Sequence, residues 1–283
     1  SGGASDVVAF EELNVLAAHG ESEFVCECQD GTEVVVRFLG QSASAETLAR
    51  VEAMASMRHP NCILFRGSCT RLVAGTVATG YMVEYMSSTL ASLVAEPDFG
   101  SSCPLLAKLL LVKNIASGLY YLHAQNVTHG ALVPWNVLYD PRSRSCKVGE
   151  LGRVSPFYLG SQPDAVCGSL HLYLAPEVAL FDAVTPSADV FSLGAILMLV
   201  VFGLAPYTGL DASEPGGAHT SSPPHTALLT LASDAGIATA WSDIQRACCE
   251  LVADCLALKA SARPPIEEVV RKLKALVAQG YAS

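Results

Sequence analysis

The first 90 residues set short apolar or β-branched runs between turn-forming residues. Residues 24–28 and 33–39 are two such runs, separated by Asp30-Gly31, the composition of a hairpin turn. Two further strands are predicted over 62–66 and 81–85. Between the two pairs, Leu48, Val51, Met54 and Met57 recur at near-helical spacing, predicting a helix over 45–57 that His59-Pro60-Asn61 ends. Ser87 and Ser88 open a polar hinge, and from Leu105 the pattern becomes one of long helices. Leu105, Leu109, Val112, Ala116, Leu119 and Leu122 form one stripe before a stop at Asn126. Short strands at 137–139 and 146–148 precede a core helix over 189–202. Helices over 244–258 and 266–277 close the chain, with Pro264-Pro265 just ahead of the last.

This pattern predicts an α+β fold in which a β-rich part gives way to a helical part near residue 88. The 283 residues, 51% of them apolar, are enough for one domain or two joined lobes. Charged residues are only 16%, against roughly 25% in ordinary soluble domains, and the net charge is -10. No Lys or Arg lies between Arg153 and Arg246 while eight acids do, so nucleic acid is excluded as a partner and a basic one is favoured. The ten cysteines never form two ligand pairs at zinc spacing and are expected as reduced, mostly buried thiols. His171, His219 and His225 likewise have no ligand cluster, so no metal site is expected there. The longest apolar run, 193–206, falls short of the ~20 residues of a membrane span. Residues 1–9 are expected to be a trimmed or flexible lead without targeting information.

Five segments in order carry a resemblance: Val34-Val35-Val36-Arg37, Arg58-His59-Pro60-Asn61, residues 129–138, Ala175-Pro176-Glu177, and Asp189-Val190-Phe191-Ser192-Leu193-Gly194. Over about residues 10–278 the chain resembles a eukaryotic protein kinase domain, nearest the tyrosine-kinase-like serine/threonine group. The resemblance implies a bilobal kinase-like fold, with an N-lobe over 10–86 and a C-lobe over 87–283. It also implies a scaffold ion pair between Arg263 and Glu177, and Asp189 tying down the loop that begins at His129. His129 is then a packing and hydrogen-bonding residue rather than a base. Met54, Leu151 and His129, anchored by Asp189, resemble the regulatory stack of apolar side chains.

Phosphoryl transfer needs phosphates held by charge and backbone donors, magnesium, and an acceptor hydroxyl aimed by a carboxylate. Where the family's catalytic loop reads His-Arg-Asp-Leu-Lys-Pro-x-Asn, this chain reads His129-Gly130-Ala131-Leu132-Val133-Pro134-Trp135-Asn136. The base position is thus Ala131 and the phosphate-neutralising lysine position is Val133. The lysine of the third strand is replaced by Arg37, and the glutamate that should pair with it falls on Arg50, or one turn away on Glu46 or Glu52. The metal-binding Asp-Phe-Gly segment reads Glu150-Leu151-Gly152. Glu150 either meets a metal or closes on Arg37 as an internal ion pair, the second being favoured. The phosphate loop retains one glycine, Gly20, beside Glu21 and Glu23, which are expected to face solvent. Asn136 either caps local backbone, the favoured reading, or binds magnesium. Val83 takes the gatekeeper position, and Glu84-Tyr85-Met86 the hinge.

Gly20, Arg37, Val83, Met86, Asn136 and Glu150 therefore outline a vestigial nucleotide pocket. No cofactor is expected, with ATP and magnesium as the alternative. Phe157, Tyr158 and Leu159 make the activation segment greasy, for a partner or for packing on the same domain. Residues 208–226 read as an exposed loop insertion. The expectation is a non-enzymatic domain, a pseudokinase that regulates or scaffolds a protein partner, an active kinase being one candidate. Its place would be the cytoplasm or the cytosolic face of a membrane protein, without membrane insertion by these residues. The alternative is weak nucleotide chemistry using Glu150 and Asn136, or nucleotide kept as a structural ligand.

Overall fold

The computed structural model describes residues 7–40, 44–149, 151, 170–179, 184–207, 224–233 and 241–282. The chain divides into two units between Ser87 and Ser88.

The first unit is built on a six-stranded sheet of order β1-β5-β6-β4-β3-β2. Its strands are β1 Val7–Ala9, β2 Asn14–His19, β3 Glu23–Glu27, β4 Glu33–Phe38, β5 Phe65–Val73 and β6 Thr76–Glu84. The Asp30-Gly31 hairpin forms as predicted. Asp30 Oδ1 accepts from Thr32 N at 2.9 Å, and Gly31 takes the left-handed φ of +79° that a side chain would resist. From that turn the register follows, Glu27 opposite Glu33 and Glu23 opposite Arg37. β4 lies inside the sheet and is buried from Val34 to Phe38 on both faces, hence its unbroken apolar run. Leu13, Cys26, Val34, Val36, Phe38, Cys69 and Met82 form one core cluster. Helix α1, Ala45–Ser56, starts at Ser44, whose side chain accepts from Thr47 N, and buries Met54 and Met57.

Three features of this unit differ from the sequence reading. β5 and β6 are nine residues each, not the short runs expected. They are joined at Ala74-Gly75, both at positive φ, a two-residue turn whose alanine gave no signal. The stretch read as a phosphate loop, residues 16–25, is the end of β2, a turn and the start of β3. Val7–Ala9, inside the expected lead, is a strand paired in parallel with β5, which satisfies the backbone groups on that side.

The second unit is mainly helical, with a small sheet of β7 Ser88–Thr89, β8 Val137–Asp140 and β9 Ser145–Val148 in that order. Its helices are α2 Leu90–Val94, α3 Phe99–Ser102, α4 Leu105–Ala124, α5 Pro176–Ala179, α6 Pro186–Phe202, α7 Thr226–Ser233, α8 Asp243–Cys255 and α9 Ile266–Ala282. α6 is apolar all round and is buried continuously from Ala188 to Val201, as a central helix must be. α4 and α8 pack on it, and α9 packs on α4. α4 has the length and composition of a membrane span, yet half of its most apolar window is buried within the unit, which fits a core helix. Most of the expected 208–226 insertion lies outside the described residues; its end, Thr226, opens α7.

The nine described cysteines are all free, seven of them buried. Burial pushes the thiols of Cys26, Cys146, Cys248 and Cys255 up to about 12 and that of Cys69 to about 11. They behave as small apolar side chains rather than nucleophiles.

Candidate functional site

In the β-rich unit the informative position is Arg37, on the central strand. The β3/β4 register sets Glu23 directly opposite, and Arg37 Nε donates to Glu23 Oε2 at 2.9 Å. The two residues are 2% and 1% exposed. This corrects the expectation that Glu23 faces solvent. A guanidinium carried into the sheet by β4 needs a carboxylate, since an unpaired buried charge costs several kcal/mol. Glu150, the partner favoured from sequence, lies outside the described residues. Arg50 is half-buried on α1 and Glu52 is exposed.

The centre of the stretch read as a phosphate loop is the turn between β2 and β3. Gly20 has a φ of +72°, and Phe38 N donates to the Ser22 carbonyl at 2.8 Å. Arg71 Nη2 donates to the Glu21 carbonyl. The Arg71 guanidinium lies 4.2, 5.2 and 5.8 Å from the ring centres of Phe38, Phe24 and Phe10. The turn is therefore held by a cation seated on three aromatic faces. At the hinge, Val83 is fully buried and Met86 nearly so, while Glu84 Oε1 accepts from Leu64 N at 2.7 Å.

In the helical unit the loop after His129 is pinned by Asp189 from the first turn of α6. Asp189 Oδ2 accepts from His129 N at 2.8 Å and Oδ1 from Gly130 N at 2.9 Å. His123 Nε2, from the end of α4, is 2.9 Å from the same Oδ2. Gly130 takes a φ of +74°. Ala131 N donates to His129 Nδ1 at 3.2 Å, so His129 serves as an acceptor for the loop backbone. Asn136 Nδ2 donates to the Ala131 carbonyl at 3.1 Å. Gly149 N donates to the Asn136 carbonyl at 2.8 Å. A methyl on Gly149 would strike the Asn136 side-chain oxygen and sit 2.5 Å from its carbonyl oxygen, so glycine is required there.

Ala131 and Val133 are buried, at 9% and 2% exposure. The loop thus has a rigid backbone and an apolar surface where proton transfer would need an acceptor. His129, Leu151 and Asp189 are buried in this unit, and Met54 in the other. Phe157, Tyr158 and Leu159 lie outside the described residues.

The scaffold pair is a bidentate fork. Arg263 Nη1 and Nη2 donate to Glu177 Oε1 and Oε2 at 2.5 and 2.8 Å. The guanidinium also donates to the carbonyls of Ala257, Ser187 and Leu258 and lies 5.0 Å from the Phe191 ring centre. Burial works to raise the Glu177 carboxyl. The bonds and charge of Arg263, with Glu177's own backbone N–H, outweigh it and hold that carboxyl below its ordinary 4.5.

His123 and Gly149 escaped the sequence reading, and Glu23 was read without its partner. Counting back from the Asp30-Gly31 turn would have set Glu23 against Arg37. Gly149 continues the β8/β9 register one step beyond Val137 opposite Val148, which sets it against Asn136; His123 had no such signal, because Asp189 is 66 residues away in sequence. Among the described residues no group of three or more His, Cys, Asp or Glu could hold a metal ion.

The chain matches the family model for the protein kinase domain over residues 20–273. It is 29% identical over 192 residues to dual specificity protein kinase shkB of Dictyostelium discoideum, covering 65% of this chain and 29% of that protein. To the probable leucine-rich repeat receptor-like protein kinase IMK3 of Arabidopsis thaliana it is 30% identical over 196 residues, covering 66% of this chain and 24% of that protein. To dual specificity testis-specific protein kinase 1 of Mus musculus it is 35% identical over 163 residues, covering 55% and 25%. The chain thus spans less than a third of each of these relatives. The family match runs from the turn at Gly20 into the last helix and takes in the cores of both units, and the chain therefore belongs to the protein kinase domain family.

Proposed function

We propose that this domain does not transfer phosphate and acts by contact, as an allosteric regulator or scaffold for a signalling protein, an active kinase being one such partner. The observation that carries the reading is Ala131. The loop around it is pinned by Asp189 through two backbone N–H groups, so the scaffold of the transfer site is kept. The side chain at the proton-acceptor position is nevertheless a buried methyl. A methyl has no lone pair to orient or accept from a hydroxyl, and a positioned base is worth about 10²- to 10⁴-fold.

A magnesium nucleotide fits the remaining residues poorly. Arg37, at the phosphate-contacting lysine position, is sealed into the sheet against Glu23, and Val133 offers no charge. Asn136, whose amide nitrogen bonds the loop backbone, keeps a side-chain oxygen for a metal, but one neutral oxygen does not replace the lost charges. No step is routed through the nucleotide. The location proposed is the cytoplasm or the cytosolic side of a membrane protein, and the receptor-like relative from Arabidopsis thaliana is in keeping with the second.

The test is phosphate transfer from labelled ATP to a general protein acceptor, run beside thermal unfolding with millimolar ATP and magnesium. The expected result is no transfer above background and a shift below about 1 °C, since appreciable preferential binding would raise the apparent stability by linkage. Transfer that survives purification and is lost in Asn136→Ala would overturn the reading.

A further inference from the structure

β2 is the last strand of its sheet and pairs only with β3 among the described residues, so from Asn14 to Ala18 its outer edge faces no other described strand. Five of its six residues are exposed, Val15 at 44% and Leu16 at 48%. Proteins usually blunt such an edge with lysine, proline or inward-pointing charge. Asn14-Val15-Leu16-Ala17-Ala18-His19 has no Lys, Arg, Asp, Glu or Pro, and its sole device is a bulge between Val15 and Ala17.

The surroundings of the edge are acidic. Residues 1–36 carry eight acids and no Lys or Arg. At the start of β2, Glu12 and Glu27 line one hollow of about 350 Å³ with Asn14, Cys28, Gln29 and Gly31. Asn14 Nδ2 donates to Glu27 Oε2 at 3.2 Å, which holds that carboxylate beside the strand. Glu11 is exposed before β2 and Glu21 after it. Two cations offset part of this: Arg71, seated on its three phenylalanines, and Arg66, which acts on Cys28 and Asp30. Glu11, Glu12, Glu21 and Glu27 outnumber them around β2.

We infer that β2 is a docking edge for an extended basic segment of a partner protein, which adds to the sheet as a seventh strand. Backbone hydrogen bonds to β2 supply the affinity, and Lys or Arg side chains beside Glu12 and Glu27 set direction and register. A second copy of this chain is the weaker occupant, because pairing β2 with β2 would bring two acidic rims together. The inference rests on the contact-only reading for its consequence. The experiment contains no nucleotide, so it fails or succeeds separately from the transfer assay.

The test titrates the 283-residue chain into a labelled eight-residue peptide of alternating lysine and valine, followed by fluorescence anisotropy. Two control peptides are used, one with glutamate for lysine and one N-methylated at alternate residues. The expected result is saturable binding of the lysine peptide alone. Leu16→Lys, which adds a repelling charge to the edge, should weaken it about tenfold, and Glu12→Gln with Glu27→Gln should weaken it and reduce its salt dependence. Unchanged thermal unfolding of the variants verifies their fold, and the glutamine pair gives an independent arm should Leu16→Lys not fold. Equal binding of the N-methylated peptide would show attraction without strand addition and overturn the inference. So would equal binding of the glutamate peptide, or self-association of the chain that Leu16→Lys abolishes.

Discussion

Arg37 shows how one substitution propagates through a sheet. The position is in the middle of a strand buried on both faces, so a charge there is tolerable only if the register delivers a counter-charge, and β3 delivers Glu23. Removing one partner takes from the other the buried counter-charge that the register sets against it. Glu23→Leu or Arg37→Met alone is therefore expected to cost about 3–5 kcal/mol, whereas the two together should cost far less than their sum. Urea unfolding of the four proteins measures this. Additive losses would mean that the pair is not coupled.

Among the elements, α6 is the piece around which the helical unit is assembled, and its glycine decides how closely α8 approaches. A methyl on Gly194 would lie 2.5 Å from Cys255 Cβ and 3.3 Å from Leu256 Cγ. The helix backbone gains up to ~1 kcal/mol from alanine, but overpacking typically costs ~1–3 kcal/mol. A Cβ that close to a neighbouring Cβ cannot be relieved by rotating either side chain. Gly194→Ala should lower the urea midpoint, and a midpoint at or above that of the parent chain would show that α8 can yield. α4 reports the same physics from the other side. Its predicted stripe, Leu109, Val112, Ala116, Leu119 and Leu122, is fully buried, and Leu105 at its start is half-buried.

For the whole molecule, pH acts on stability and on charge together. Burial holds His225 below its ordinary 6.5, so the unfolded chain takes up that proton first and stability falls as pH drops below 6.5. Glu177 is held below its ordinary 4.5. Its contribution is complete above that value and is lost as pH falls through the lower, folded one. The net charge of -10 at pH 7 also vanishes near the isoelectric point of about 5.1, removing the repulsion that keeps copies apart. A thermal-unfolding series from pH 7.5 to 4 should show a decline beginning below 6.5 and steepening below 4.5. Glu177→Gln should lower stability at pH 7 and flatten the last segment. A flat profile across 6.5–5 would mean that His225 is as easily protonated when folded.

Much of this molecule was legible along the chain where its causes are local. The Asp30-Gly31 turn, the α4 stripe and the unbroken apolar run of α6 are periodicities and turn preferences, and each appears where it was read. The α+β order of elements follows from them. The chemical poverty of the loop after His129 was legible too, since no fold can make a base of Ala131. What neighbours a residue across the fold was not. Ala74-Gly75 turns the long β5–β6 hairpin without a distinctive residue pair. Val7–Ala9 becomes a strand because β5 has a free side. Glu23, read as solvated, is buried because the register sets it against Arg37. Periodicity and side-chain chemistry are properties of the chain itself, so the sequence alone determined the element types, the family pattern and the methyl at position 131. Pairing, burial and the partner of each charge depend on which distant segments meet, and those only the tertiary structure decided.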